Sequence, residues 1–172
     1  MKFAAAIAVF LLAASPAAAM ELASKDLKNG GSFDKNQVYG QCGGKNRAPR
    51  LEWSGAPVGT TSFALAMIDE SVKPQGFLHW YVLGLPAAAN EFGGENDASV
   101  RARVAGNDFG DEGYGGPCPP KGSGPHKYVI TVWALGAAAP DIKRNMRADA
   151  LARALDKVAL DKASLAATYE RK

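Results

Sequence analysis

The sequence predicts a mainly β domain with one or two late helices, and three observations carry that. Two runs, Phe77-Leu78-His79-Trp80-Tyr81-Val82-Leu83 and His126 to Leu135, are rich in β-branched and aromatic residues, which suit a pleated surface packed on its neighbours. Ahead of the second run, Asn107 to Pro125 is so dense in glycine and proline that neither helix nor long strand can form there. Helical periodicity appears only late, where Leu151, Leu155 and Val158 recur at i, i+4 and i+7.

At 172 residues, 47% of them hydrophobic, the chain suits one domain with a sizeable core. Its first twenty residues read differently from the rest. Lys2 is a basic start, Phe3 to Ala14 a short apolar run, and Ala17-Ala18-Ala19 a small-residue cleavage site. The run is shorter than the ~20 residues a membrane span needs. We therefore expect residues 1–19 to be a signal peptide cut before Met20, and 20–172 to be a single exported domain with no integral membrane segment. The formal charge is +3, with no basic cluster or arginine–aromatic stripe, which argues against nucleic acid as a partner.

In chain order, Ser24 to Val38 is polar with scattered apolar residues and reads as an edge strand or two. Tyr39 to Pro49 is a glycine-rich turn region. Its Gly43-Gly44-Lys45 fails as a phosphate loop, because the spacing from Gly40 is short and Asn46 stands where Ser or Thr is required. Leu51-Glu52-Trp53-Ser54 is a short strand, and Ser62 to Ile68 is apolar almost throughout, as in a strand covered on both faces. That strand runs into Asp69. In the next one, a period of two puts Phe77, His79 and Tyr81 on one face and Leu78, Trp80 and Val82 on the other. Pro86 to Ala105 reads as a long connection. The glycine–proline loop then delivers His126 and Tyr128 onto one face of a core strand. A linker over 137–143 precedes a helix from about Asn145, a suitable N-cap, and Ser164 to Tyr169 reads as a last turn and a strand.

Export makes the two cysteines legible. Cys42 and Cys118 form an even pair in an oxidising compartment, so a disulfide is expected over two buried thiols. It would close a loop of more than seventy residues, worth roughly 2–4 kcal/mol, and tether the glycine–proline loop. No Cys-x-x-Cys or Cys/His spacing suggests a metal.

His79 and His126 are the only histidines, each beside aromatics at a strand. One such histidine is most often a hydrogen-bonded core residue; two, with Asp69 closing a neighbouring strand and a stiff loop nearby, point to a site. Asp69 itself suits a plain turn as well as the orientation of a histidine. Histidines plus loop N–H groups would make a small anion site for phosphate or carboxylate. Two enzyme alternatives stay open at this point. Asp69, His79 and His126 have the composition of a two-His, one-carboxylate metal triad, and a hydrolase would need a serine beside a base, though no Gly-x-Ser-x-Gly elbow is present.

Longer stretches then match a known pattern: Pro49 to Leu65, Asp69, His79-Trp80, Asn107-Asp108-Phe109-Gly110, Gly116-Pro117-Cys118-Pro119-Pro120-Lys121-Gly122 leading to His126-Lys127-Tyr128, and the tail Ala163 to Arg171. On these the chain resembles the phosphatidylethanolamine-binding proteins, also called Raf kinase inhibitor-like proteins, in their bacterial YbhB/YbcL branch. The resemblance implies a large antiparallel sheet packed on a smaller one, with C-terminal helices. It also implies a pocket for phosphate-like groups such as phosphoethanolamine, built from Asp69, His79, Pro119, Pro120, His126 and Tyr128. Two departures bear on the rim. The family's Asp-Pro-Asp-x-Pro becomes Asp69-Glu70-Ser71-Val72-Lys73-Pro74, and Lys127 replaces an arginine whose forked hydrogen bonds lysine cannot copy.

The expectation is thus a periplasmic or secreted, non-catalytic binder of a small anionic ligand, with no metal and no cofactor. The alternatives are a periplasmic inhibitor or interaction module with a vestigial pocket, acting on a protein partner or as a homodimer, and an acid–base or metal-dependent phosphoester hydrolase.

Overall fold

The computed structural model describes residues 19–94, 106–136 and 146–172, together with the backbone of Arg103 and Val104. The expected leader lies outside the described residues apart from Ala19, as do Asn145 and the linker 137–143. Two sheets form the domain. The smaller orders β1 (Glu21–Ser24), β3 (Leu51–Ser54) and β6 (Glu91–Phe92) as β1-β3-β6. The larger has the order β2-β9-β8-β4-β5-β7, from β2 (Gly31–Ser32), β4 (Ser62–Asp69), β5 (Phe77–Pro86), β7 (Arg103–Val104), β8 (His126–Leu135) and β9 (Ala159–Tyr169). Pairing is antiparallel except at the rim, where the two-residue β2 runs parallel to β9.

β4 shows why the large sheet is buried on both sides. Phe63, Leu65 and Met67 point into a core shared with Leu51, Trp53 and Phe92 of the small sheet. Ala64 and Ala66, on the opposite face, lie in a second cluster with Leu151 and Leu155 of helix α1 (Ala148–Asp156). Alanines there leave room for the helix, and an apolar stripe at helical spacing fills it. The indole N–H of Trp133 in β8 donates to Asp156 Oδ1 at 2.7 Å, holding the end of the helix to the sheet.

Three details differ from the sequence reading. First, α1 is the only α-helix among the described residues and stops at Asp156. Val158, expected on its apolar stripe, therefore sits in a turn and is exposed. Second, the final strand starts at Ala159 and pairs with the whole of β8; of its buried residues Ala163, Leu165 and Ala167, two are small and carry little strand signal. Third, β5 is bulged. The register passes from Ile68 opposite Leu78 to Met67 opposite Trp80, leaving His79 as the extra residue. The bulge breaks the period of two. Leu78 joins Tyr81 and Leu83 on the helix side, while Trp80 and Val82 face the small sheet. The connection after β5 also contributes the two short strands β6 and β7.

Candidate functional site

β4, β5 and β8 end together at one pole of the large sheet, where Asp69 stands opposite both Phe77 and Tyr128. A cavity of about 250 Å³ opens there, lined by all six expected residues, Asp69, His79, Pro119, Pro120, His126 and Tyr128, and also by Val72, Phe77, Phe109 and Cys118.

The bulge aims His79 into this cavity, and the glycine–proline loop fixes it there. β7 reaches β5 only at Val82 and Leu83, so the loop takes the place of a neighbouring strand alongside Leu78 and His79. Asp108 exchanges two bonds with the Leu78 main chain, accepting at 2.7 Å and donating at 2.9 Å. Gly115 N–H donates to the His79 carbonyl at 2.8 Å. His79 Nδ1 in turn lies 2.7 Å from the Gly115 carbonyl and 3.2 Å from that of Gly116. Two carbonyls can only accept, so Nδ1 carries the proton and the neutral ring leaves Nε2 as its free acceptor. Phe77, Tyr128 and Phe109 surround the imidazole at centroid distances of 5.0, 5.1 and 5.2 Å. Burial holds the His79 pKa below its ordinary value, against the opposing pull of the Gly115 carbonyl.

The loop reaches this seat because its residues are small. A Cβ at Gly116 would stand 1.9 Å from the Gln37 carbonyl oxygen. Gly116 N–H donates to Asn46 Oδ1, and Asn46 Nδ2 donates to the Tyr114 carbonyl. The Cys42–Cys118 disulfide closes the same seam. Several loop amides are consequently engaged within the protein: Gly110 N–H donates inside the loop, and those of Gly115, Gly116 and Gly122 donate to His79, Asn46 and Arg171. Sequence reasoning offered these amides to an anion; the side chains are what remain for it.

The opposite wall is polar. His126 Nδ1 meets Asp69 Oδ2 at 2.6 Å, and both side chains are largely buried. Asp69 Oδ1 accepts from Ser71 N–H at 2.8 Å. His126 Nε2 lies 3.0 Å from Ser123 Oγ, a contact that sequence reasoning missed. This is a serine beside a base beside a carboxylate, yet Ser123 Oγ also sits 2.8 Å from the Pro120 carbonyl and donates to it. With its proton so placed, the hydroxyl presents a lone pair to Nε2. His126 thus sits with Nδ1 on the Asp69 carboxylate and Nε2 on the serine hydroxyl. Between the walls, Tyr128 is fully buried, and its hydroxyl lies close to Asp69 and the Cys118 main chain without completing a well-formed hydrogen bond to either. Burial, reinforced by the Asp69 charge, pushes the phenol well above its ordinary pKa.

The metal-triad alternative finds no support in this geometry. Among the described residues no three His, Cys, Asp or Glu side chains converge on one point, and the Nδ1 atoms of both histidines are already engaged.

Residues 23–170 match the sequence profile of the phosphatidylethanolamine-binding proteins. The chain belongs to that family. The UPF0098 protein YbcL of Escherichia coli is 37% identical over 138 residues, 75% of each chain. A UPF0098 protein of Aquifex aeolicus is 38% identical over 159 residues, 84% of this chain and 90% of that one. The crystal structure of E. coli YbcL superposes with a TM-score of 0.79 at 33% identity, covering 90% of this chain and all of that one.

Within this family pattern the two departures at the rim are accommodated locally. The second acid of the resemblance is replaced by Ser71 or displaced to Glu70, and the Ser71 hydroxyl accepts from Lys127 N–H at 2.9 Å. Glu70 N–H donates to the Lys127 carbonyl at 2.9 Å, and Lys127 Nζ reaches Glu70 Oε2 at 2.9 Å. The segment after Asp69 is thus tied to the start of β8 by one main-chain bond, one main-chain to side-chain bond and one exposed ion pair.

Proposed function

We propose that this family member is an exported receptor for small phosphate-like anions, which it holds without turning them over. The observation that carries the reading is the buried Tyr128 hydroxyl, which completes no well-formed hydrogen bond in a cavity whose other polar side chains are His79, His126 and Asp69. A buried hydroxyl without a partner costs about 1–3 kcal/mol, and an anion oxygen would satisfy it. The cavity, at about 250 Å³, lies below the ~300–1,000 Å³ of drug-sized sites, which suits a headgroup. His126 would face the anion from the polar wall, and His79 would take up a proton at Nε2 to become a charged donor. Anion binding at this site is therefore coupled to proton uptake and strengthens as pH falls below neutral. Retention without turnover is supported by Ser123, whose proton points at the Pro120 carbonyl, and by Cys118, whose sulfur is in the disulfide. Export is supported by the leader-like residues 1–19 and by that same disulfide; no described helix is long and apolar enough to cross a membrane.

Calorimetric titration with inorganic phosphate and with phosphoethanolamine tests the reading. Binding is expected with both, weakened about tenfold or more by His79→Ala, as fits loss of a charge-assisted bond, and less by Tyr128→Phe. Heats that vary with buffer ionisation would report the proton. No heat with either ligand at millimolar concentration, or steady release of phosphate from a phosphoester, would overturn it.

A further inference from the structure

Met20 is the first buried residue among the described residues. Its side chain is 6% exposed and belongs to the core between the sheets, whereas Ala19 before it is exposed. The main-chain nitrogen of Met20 donates to Asp161 Oδ2 at 3.0 Å. Asp161 stands in β9 opposite Ala134, and β1 lies against β9. The other carboxylate oxygen, Oδ1, accepts from Lys162 N–H at 2.8 Å, while the Lys162 ammonium turns away to Asp156 at 2.8 Å. A half-buried carboxylate is thus held against a single main-chain nitrogen across 141 positions of sequence. That nitrogen directly follows the small-residue run Ala17-Ala18-Ala19.

We propose that Asp161 is the receptor for the α-ammonium group of the processed chain, so that loss of residues 1–19 creates an ion pair locking β1 onto β9. The inference rests on the export reading above. Hydrolysis breaks the bond between the Ala19 carbonyl carbon and the Met20 nitrogen. The hydroxyl of water goes to Ala19, and the nitrogen receives the remaining hydrogen of water together with the proton released by the new carboxyl group. The donor facing Asp161 keeps its place and changes from neutral amide to cation. Free α-amino groups titrate at about pH 8, so the charge is largely present at neutral pH, and charge-assisted bonds are roughly twice as strong as neutral ones. Because Met20 is buried once β1 has docked, the bond is cut before folding, and the ion pair forms as the mature chain closes. The core seat of Met20 and the carboxylate beside it together read out a correctly placed cut.

Two measurements test this. The full chain is exported from a bacterial host and the product weighed intact; a mass starting at Met20 is expected. The chain starting at Met20 is then unfolded thermally with its amine free or acetylated, as wild type, Asp161→Asn and Asp161→Glu. Acetylation is expected to lower the wild-type Tm by about 3 °C, to leave Asp161→Asn unchanged, and to act again in Asp161→Glu, where the charge is kept. A product beginning elsewhere overturns the export cut at this bond and the receptor with it. A product beginning at Met20 whose acetylation acts equally in the wild type and Asp161→Asn leaves export standing and overturns the role of Asp161.

Discussion

On one side of the pocket His79 is wrapped by three aromatic rings and fixed through Nδ1 to main-chain carbonyls. On the other, His126 lies between the Asp69 carboxylate and the Ser123 hydroxyl. The residue type is the same and the environments are opposed: desolvation lowers the pKa of the first ring, while the second is hydrogen-bonded to a carboxylate. The His79 wall is held by a close-packed loop and a disulfide, the His126 wall by hydrogen bonds within two strand ends. Damage to the first should therefore cost stability, and damage to the second should cost little.

The largest effect is expected from Gly116→Ala. Its Cβ would lie 1.9 Å from the Gln37 carbonyl oxygen, so the loop must leave its seat. A loss of about 4 kcal/mol or more in denaturant unfolding is expected, at the severe end for single substitutions. Wild-type stability would show that the His79 wall is not close-packed. Next comes removal of the disulfide by paired Cys42→Ser and Cys118→Ser, expected to cost roughly 2–4 kcal/mol for a loop of this length.

Acid separates the two walls further. Because burial lowers the His79 pKa in the folded state, the unfolded chain binds the extra proton first, and stability falls as pH drops below the unfolded value of about 6.5. The contribution is fully present above that pH and is lost on the way down to the folded pKa. Unfolding free energies measured from pH 7.5 to 5 should fall less steeply in His79→Gln than in the wild type; equal slopes would contradict a desolvated ring. The smallest effects belong to the rim beside His126. Ser71→Ala removes the acceptor for Lys127 N–H and should cost about 1 kcal/mol. Glu70→Gln, which breaks an exposed ion pair, should stay below ~0.5 kcal/mol.

The two walls also differ in how far they could be read from sequence. β4, β5 and β8 were legible because long apolar and β-branched runs leave few alternatives, and the convergence of Asp69, His79, His126 and Tyr128 follows from where those strands end. The bulge at His79 was not legible, since an extra residue leaves the composition of a strand unchanged and shows only in pairing with β4. Phe77 could have been found, being two residues from His79 on the face turned to the pocket. Phe109 and Ser123 could not, because their positions depend on how the glycine–proline loop folds back. The last strand begins earlier than its sequence suggests because only Leu165, between Ala163 and Ala167, gives its buried face a large apolar residue.

The most direct test of the central claim is a titration of the two histidine rings by NMR with phosphate and with phosphoethanolamine, since the chain holds only His79 and His126. The account predicts that both rings shift together as either anion is added, and that the lowered His79 pKa rises on saturation. Rings that stay still at millimolar ligand, or a His79 that remains neutral while His126 alone responds, would contradict a pocket in which both walls hold the same anion.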